Sequence, residues 1–438
     1  MASNRRSFLQ QTMAGAAGCA MGVHVSGAAA QQKDSPNERI NIAAVGATGR
    51  AGSDIAGVAS QNIIAIADVD SQLLDKGAAK YARAKKYTDF RNMLDKEAAR
   101  IDAVVVGTPD HTHAPAAAMA LRLKKHVYCE KPLTHTVHES RVLATLAKAG
   151  NLITQMGNQI HAGENYRQVV ELIKTGAIGS VKRVHVWASA RYSGAKFTPA
   201  EQPEHVNWDL WLGPSAERAY CAGVHPFKWR SFWDYGTGAL GDFGCHYMDL
   251  AHWALDLRGP KTIEAQGPAV EKVSTPQWCI VDYQYPVRGE LPPVHLTWYD
   301  SGKRPEIATK LKTTEGKPLN LTSAQLFIGS KAILLSNYSS HYLIDPETLT
   351  AQPIEKRPEP FVPRSIGHHA EWLHGIKTGE MTTCNFDYAG ALTEAVLLGT
   401  VAYRSGKQLK WDAKGFKVVN HPDVNPLLHK EYRKGWKL

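Results

Sequence analysis

The stretch Ile40-Asn41-Ile42-Ala43-Ala44-Val45, followed at once by Gly46-Ala47-Thr48-Gly49-Arg50-Ala51-Gly52, decides the fold. A short apolar run, a glycine turn and the start of a helical pattern form a cradle for a pyrophosphate. Small residues let the backbone approach the anion, and the free N–H groups of a helix N-terminus face it. Taken alone, a glycine turn is also ordinary punctuation between strand and helix. Here Thr48 and Ala51 stand where a Gly-x-Gly-x-x-Gly pattern places its second and third glycines, so Thr48 is expected to push a bound nucleotide slightly outward.

The next apolar run, Ile63-Ile64-Ala65-Ile66-Ala67, ends in Asp68-Val69-Asp70. That is about 20 residues beyond the turn, where a carboxylate receives the adenosine ribose hydroxyls. A carboxylate there repels a 2′-phosphate and favours NAD; Arg50 in the turn keeps NADP as the alternative. Ala103-Val104-Val105-Val106 and His126-Val127-Tyr128-Cys129 are two further buried-strand runs separated by helical stretches, the alternation of a doubly wound parallel sheet. Ligands lie beyond the carboxyl ends of such strands. Those ends carry Thr108-Pro109-Asp110-His111-Thr112-His113 and Glu130-Lys131-Pro132. Helix capping explains His111 and His113 as well as chemistry does, whereas Lys131, between a strand end and a proline, is poorly placed for a mere surface residue.

Composition agrees with a two-domain globular chain: 438 residues, 43% hydrophobic, 21% charged, 36 glycines. The formal charge of +10 drops to +8 without Arg5 and Arg6, the only charged residues among the first thirty. The remaining basic residues are scattered, Lys85-Lys86 and Lys124-Lys125 being the densest pairs, so a nucleic-acid partner is not expected. The N-terminus reads Asn4-Arg5-Arg6-Ser7-Phe8-Leu9-Gln10, an Ala/Gly-rich stretch from Thr12 to Ala29, and Ala28-Ala29-Ala30 before Gln31. It resembles a twin-arginine export signal over residues 1–30, which implies a periplasmic or extracellular protein. No other segment is apolar and long enough to span a membrane. Cys129, Cys221, Cys245, Cys279 and Cys384 are odd in number and lack CxxC spacing, so neither a disulfide framework nor a zinc site follows. His161, His368 and His369 show no metal-ligand spacing, and no metal is expected.

Downstream, Val181 to Arg191 and Pro293 to Tyr299 alternate with period two, and Thr262–Gln266, Cys279–Tyr285 and Gln325–Leu335 are further strand candidates. One broad sheet is expected. If helices cover only one face, a second subunit must cover the other, which points to a homodimer or homotetramer. His368–Ile376 and Asn385–Gly399 read as scaffold helices. At about 100° per residue, Asp242, His246, Asp249 and Trp253 share one stripe of a helix, expected to face a cleft or water.

Val45-Gly46, the Thr108-Pro109 turn, Glu130-Lys131-Pro132, Gln155-Met156-Gly157-Asn158-Gln159 and Gly241-Asp242-Phe243-Gly244-Cys245-His246 together resemble the Gfo/Idh/MocA oxidoreductase family from about residue 38 onward. The resemblance implies a Rossmann domain over 38–157 and, over 158–438, an α+β domain with a large, open, mostly antiparallel sheet for substrate binding and oligomerisation. It implies oxidation or reduction of sugars and polyols. Hydride abstraction from a carbinol carbon requires the hydroxyl proton to leave, and an imidazole with a pKa near ~6.5 can take it. His246 is the expected base, Asp242 holds a substrate hydroxyl or orients the ring, and Lys131 donates to the reacting oxygen. The resemblance leaves open whether lysine or histidine carries the proton.

Gly46, Thr48, Gly49, Arg50, Asp68, Thr108, Pro109, His113, Glu130, Lys131 and Asn158 are the expected cofactor contacts. Lys131, Arg230, Tyr235, Asp242 and His246 are the expected substrate contacts, in part because aromatics from His225 to Tyr235 can stack on sugar rings. Export adds that the cofactor should stay bound and be recycled in place. An NAD-dependent glycosidase or lyase, which oxidises a sugar transiently and eliminates the glycosidic group, is the rival activity; a non-catalytic sugar binder is the third reading, against which the intact Lys131, Asp242 and His246 argue.

Overall fold

The computed structural model describes residues 39–354 and 358–438. The twin-arginine reading falls on residues 1–30, outside the described residues. The first layer alternates strictly: β1 (Asn41–Val45), α1 (Gly49–Gly57), β2 (Asn62–Ala67), α2 (Ser71–Ala78), β3 (Lys85–Tyr87), α3 (Phe90–Glu97), β4 (Ala103–Val106), α4 (Asp110–Arg122), β5 (His126–Glu130), α5 (Val137–Gly150) and β6 (Thr154–Gly157). The strands pair in parallel in the order β3-β2-β1-β4-β5-β6. β4 is buried at every residue, as a central parallel strand covered on both faces must be. The order reverses between β1 and β4, which opens a crevice beyond their carboxyl ends.

The chain continues through α6 (Glu164–Lys174), β7 (Val181–Trp187), α7 (Trp208–Leu212), α8 (Gly238–Tyr247), α9 (Asp249–Ala254), β8 (Thr262–Gln266), β9 (Ile280–Tyr285), β10 (Val294–Tyr299), β11 (Ala324–Gly329), β12 (Ile333–Ser336), β13 (His341–Ile344), β14 (Ala351–Gln352), α10 (His368–Thr378), α11 (Phe386–Ser405), β15 (Leu409–Asp412) and β16 (Lys417–Val418). These strands form a ten-stranded sheet, antiparallel except where β10 runs parallel to β7. The expected strand Gln325–Leu335 is two: Gly329, Ser330 and Lys331 break it into the β11–β12 hairpin.

Val184, Val186, Val281, Leu296, Trp298 and Phe327 turn one face of the sheet into the main core, which α11 and α8 also enter. The opposite face is divided. A smaller apolar cluster around Trp187, Leu311, Leu319, Leu326 and Leu335 covers part of it. The rest carries Arg183, His185, Asp282, His295 and Thr297, tied by His295–Asp282 (2.6 Å) and Thr297–Asp282 (2.5 Å) hydrogen bonds. No helix among the described residues is long and apolar enough to cross a membrane, and the five described cysteines are free and buried.

Candidate active site

A cavity of about 570 Å³ lies beyond the carboxyl ends of the parallel strands. Gly46, Thr48, Gly49, Arg50, Asp68, Thr108, Pro109, Glu130 and Lys131 line it, nine of the eleven expected cofactor contacts. The glycine turn is built as the sequence demands. Gly46 has φ +97°, and a Cβ there would lie 2.8 Å from the Ala51 Cβ; Gly49 has φ +59°. Both conformations are open to glycine at little cost. Thr48 is the N-cap of α1 with extended backbone (φ −136°, ψ −174°), a conformation any residue adopts, so the turn accommodates threonine without strain.

Asp68 accepts the backbone N–H groups of Ala47 (2.9 Å) and Asp70 (3.0 Å), and burial pushes its carboxyl above the usual range. Arg50 is committed elsewhere. Its Nε donates to Glu130 Oε1 (3.0 Å) and its Nη2 to Asp54 Oδ1 (2.9 Å), which takes it away from the counter-ion role toward a 2′-phosphate. Thr108 Oγ1 is buried with no protein partner while its residue lines the cavity, a donor left for a ligand. The residues fit a dinucleotide.

Two expected cofactor contacts lie elsewhere. His113 is buried under the floor, with Nδ1 at 2.8 Å from Pro132 O and Nε2 at 2.7 Å from Thr108 O, and ties the two strand-end turns together. A neutral ring donates to only one of these carbonyls, and burial holds the imidazole down at about 4. Asn158 is fully buried and serves His246 instead: its Nδ2 donates to Cys245 O (3.0 Å) and its Oδ1 faces His246 Nδ1 at 2.6 Å. Because the amide's N–H side is spent on Cys245, the oxygen must face the ring. His246 Nδ1 therefore carries the proton, and Nε2 presents a free lone pair.

Lys131 is 13% exposed; its Nζ donates to Asp242 Oδ1 (2.5 Å) and to Asp242 O (3.0 Å). Burial pushes Asp242 up, but Lys131 and Arg230, whose Nε lies 3.5 Å away, outweigh it and hold the carboxyl at about 2. Burial works against the Lys131 ammonium too; Asp242 overcomes it and raises the lysine above its ordinary value. Burial and Lys131 push His246 down to about 3. At neutral pH the trio is thus an ammonium donor, a carboxylate and a neutral imidazole.

Arg230 lies over the rings of Trp229 (4.1 Å), Phe227 (4.8 Å) and Tyr192 (6.0 Å), and Lys131 lies 5.9 Å from the Phe243 ring. Tyr235 is the third displaced expectation: it is fully buried, packing on Trp211 (4.8 Å) and His111 (5.2 Å), away from the cavity lining. The helical stripe is also shorter than expected. The helix breaks at Met248, and Asp249 turns into the core, where it meets His161 Nδ1 (3.0 Å) and the Tyr388 hydroxyl (2.6 Å); Trp253 stacks on His161 at 4.0 Å. His111 is structural, bonded through Nε2 to Trp211 O (2.9 Å).

Asp110 is a further residue of the site, beyond those expected from sequence. It lines the cavity, accepts from Thr237 Oγ1 (2.9 Å), and is pushed up to about 7 by burial and by Asp242. Its position directly after Thr108-Pro109 at the end of β4 was the available signal. Tyr192, whose hydroxyl is pushed up by burial and by the neighbouring Asp242 carboxylate, stands five residues past the end of β7 with no signal in its neighbours.

A Rossmann sheet whose crevice holds Lys131, paired with an Asp242 that stands with the neutral His246 on α8 outside the cavity lining, is the framework of a nicotinamide-dependent oxidoreductase. Residues 40–158 match the model described as the oxidoreductase family, NAD-binding Rossmann fold, and residues 165–290 match the model of that family's C-terminal alpha/beta domain. The chain belongs to the Gfo/Idh/MocA oxidoreductase family.

Inositol 2-dehydrogenase of Salmonella typhimurium is 30% identical over 131 residues, 29% of this chain and 38% of that protein. Levoglucosan dehydrogenase of Pseudarthrobacter phenanthrenivorans is 24% identical over 190 residues, 43% of this chain and 42% of that protein. The alignments thus span only about two fifths of these curated relatives. The fold is shared more widely: the WlbA dehydrogenase of Bordetella pertussis, solved with NADH and UDP-GlcNAcA, superposes with a TM-score of 0.58 at 15% identity over 86% of this chain and all of that one.

Proposed function

We propose that this protein oxidises or reduces a hydroxyl-bearing carbon of a sugar, polyol or glycoside with a bound, internally recycled NAD. The observation that carries the reading is the Lys131–Asp242 pair at 2.5 Å beside a His246 whose Nδ1 proton is held by Asn158. His246 Nε2 takes the hydroxyl proton, and the Lys131 ammonium donates a hydrogen bond to the oxygen as negative charge develops on it. NAD, held by the glycine turn, Asp68 and Thr108, supplies the hydride acceptor when bound. Asp242 keeps Lys131 protonated and accepts a neighbouring substrate hydroxyl. The Tyr192, Phe227 and Phe243 rings offer apolar faces on which a sugar ring stacks. The relatives' names, inositol 2-dehydrogenase and levoglucosan dehydrogenase, favour the same substrate class.

The reading includes export through the twin-arginine route, supported by Arg5-Arg6 and the apolar stretch behind them, with the cofactor loaded before export to a periplasmic or extracellular site. It also includes a homodimer or homotetramer, supported by the sheet face that the described helices leave open.

Asp110 favours a second reading. A buried acid held near neutrality beside the pair is suited to move a second proton, as an oxidation–elimination cycle on a glycoside requires. Incubating the protein with free sugars, polyols and aryl glycosides, without added nucleotide, separates the two. Phenol release identifies the eliminating cycle; a 340 nm band that appears with one substrate and vanishes with a second identifies the oxidoreductase; silence with all of them counts against both.

Asn158 acts through His246. Asn158→Ala is expected to lower kcat about 10- to 100-fold with little change in KM. Asn158→Asp keeps the acceptor facing His246 Nδ1 and is expected to recover part of that loss. An Asn158→Asp enzyme no faster than Asn158→Ala contradicts the assigned tautomer.

A further inference from the structure

We propose that the excursion between β7 and α8, residues 188–237, is the second wall of the nucleotide site and is latched to the end of β2 so that NAD is held as a prosthetic group. The inference rests on reading the cavity as an NAD site, and it extends that site beyond the Rossmann domain.

Leu210, Trp211, His225, Pro226, Phe227 and Trp229 line the cavity from this excursion, across from Val69, Leu73, Thr88 and Phe90 of the Rossmann half. The excursion is no loose loop. Trp208, Trp211, Cys221, Val224, Trp229 and Phe232 give it an apolar core of its own, against which Val69 packs. Its outer side is pinned by the C-terminal tail, where the Arg433 guanidinium donates to Gly213 O (3.1 Å) and Asp209 O (2.6 Å).

The seam itself is a two-residue strand pairing. Ser71 N donates to His205 O and Asn207 N to Val69 O, both at 2.8 Å, and this brackets an antiparallel bridge between Asp70 and Val206. Beside it, His225 Nε2 lies 3.0 Å from Asp70 Oδ2, with His205 Nε2 at 3.7 Å from the same oxygen. Trp211 Nε1 donates to His225 Nδ1 (3.2 Å), so the His225 proton sits on Nε2 and points at Asp70. Asp70 uses its other oxygen, Oδ1, to cap α2 through Gln72 N and Leu73 N. The residue therefore joins three things: the helix beside the adenosine-ribose carboxylate Asp68, the seam, and a wall residue. Holding the two walls together at this seam slows the departure of a ligand between them, which places the latch's effect in the off-rate.

Asp70→Asn tests the latch without removing the cap. Oδ1 still receives the two helix N–H groups, but an amide now faces the His225 N–H, donor against donor. His225→Ala removes the latch from the other side and serves as the second variant. Purified full-length protein is passed through gel filtration and denatured, its nucleotide is counted, and exchange against isotope-labelled NAD is followed by mass spectrometry. The wild type is expected to keep about one nucleotide per chain and to exchange it over hours, with both variants exchanging at least about tenfold faster. A wild type that binds added NAD yet loses it on the column, or three proteins with equal exchange rates, overturns the latch while leaving the NAD site intact. A wild type that neither carries nor takes up NAD overturns both the latch and the site.

Discussion

Replacing Lys131 with methionine is expected to lower kcat for sugar oxidation by about 10³-fold, the range for losing a charged donor at an oxygen where negative charge develops. Methionine keeps the length and apolar stem of lysine and removes the charge. KM should change much less, because the aromatic walls around Arg230 remain. The loss acts twice. The reacting oxygen loses its donor, and Asp242, held at about 2 chiefly against burial by Lys131, keeps only Arg230 at 3.5 Å and rises toward protonation. Breaking a buried pair of this kind also costs stability, about 3 kcal/mol, tempered by Arg230. Steady-state kinetics on Lys131→Met and Asp242→Asn, with thermal melts alongside, check both parts. A Lys131→Met enzyme within tenfold of wild type removes the lysine from the chemistry.

The second large effect is acid lability. His111, His246, His252 and His368 are each pushed down to about 3 by burial, His113 and His185 to about 4, and His135 well below its usual value. Their folded pKa values lie below the unfolded ~6.5, so the stability they contribute is fully present above pH ~6.5 and is lost as pH falls from there toward their folded values. Carboxyls raised by burial work in the opposite sense: Asp110 at about 7, Asp300 at about 6, Glu130 at about 8, and Asp68 above its usual range hold protons in the folded state that the unfolded chain releases. The depressed imidazoles outnumber the raised carboxyls, so unfolding below pH ~6.5 takes up protons on balance and stability falls with pH. Against a total stability of about 5–15 kcal/mol, an uptake of even a few protons is a large share of the margin. The midpoint of thermal unfolding should fall steeply between pH 6.5 and 4.5. A flat profile over that range contradicts the burial of these neutral rings.

Much of this site was legible because its chemistry sits at strand ends. β1, β2, β4 and β5 announce themselves as apolar runs, and residues within two positions of their ends line the cavity: Gly46, Asp68, Thr108 and Lys131. β3 was not legible, since Lys85-Lys86-Tyr87 has no apolar run and is an exposed edge. The displaced residues share one cause. His113, Tyr235, Asp249 and Trp253 are polar or aromatic side chains near the site in sequence that satisfy themselves inside the core, through contacts with Pro132, Trp211 and His161 that no local spacing encodes. Asn158 lies beside the chemistry, but through His246 rather than the nucleotide. The wall from 188 to 237 showed only aromatic richness; its docking on Asp70 is a contact across 130 or more residues, visible only once the chain is folded.

Hydride transfer to a bound nucleotide is tested most directly by mixing the purified protein, without added cofactor, with myo-inositol and with glucose, levoglucosan and an alkyl glucoside, each deuterated at its ring C–H positions. The nucleotide is then released and its mass read. The account predicts NADH carrying one deuterium from at least one of these compounds in the wild type, and label that appears about 10³-fold more slowly in Lys131→Met. Released nucleotide that stays oxidised and unlabelled with every compound, in a protein shown to hold NAD, would contradict it.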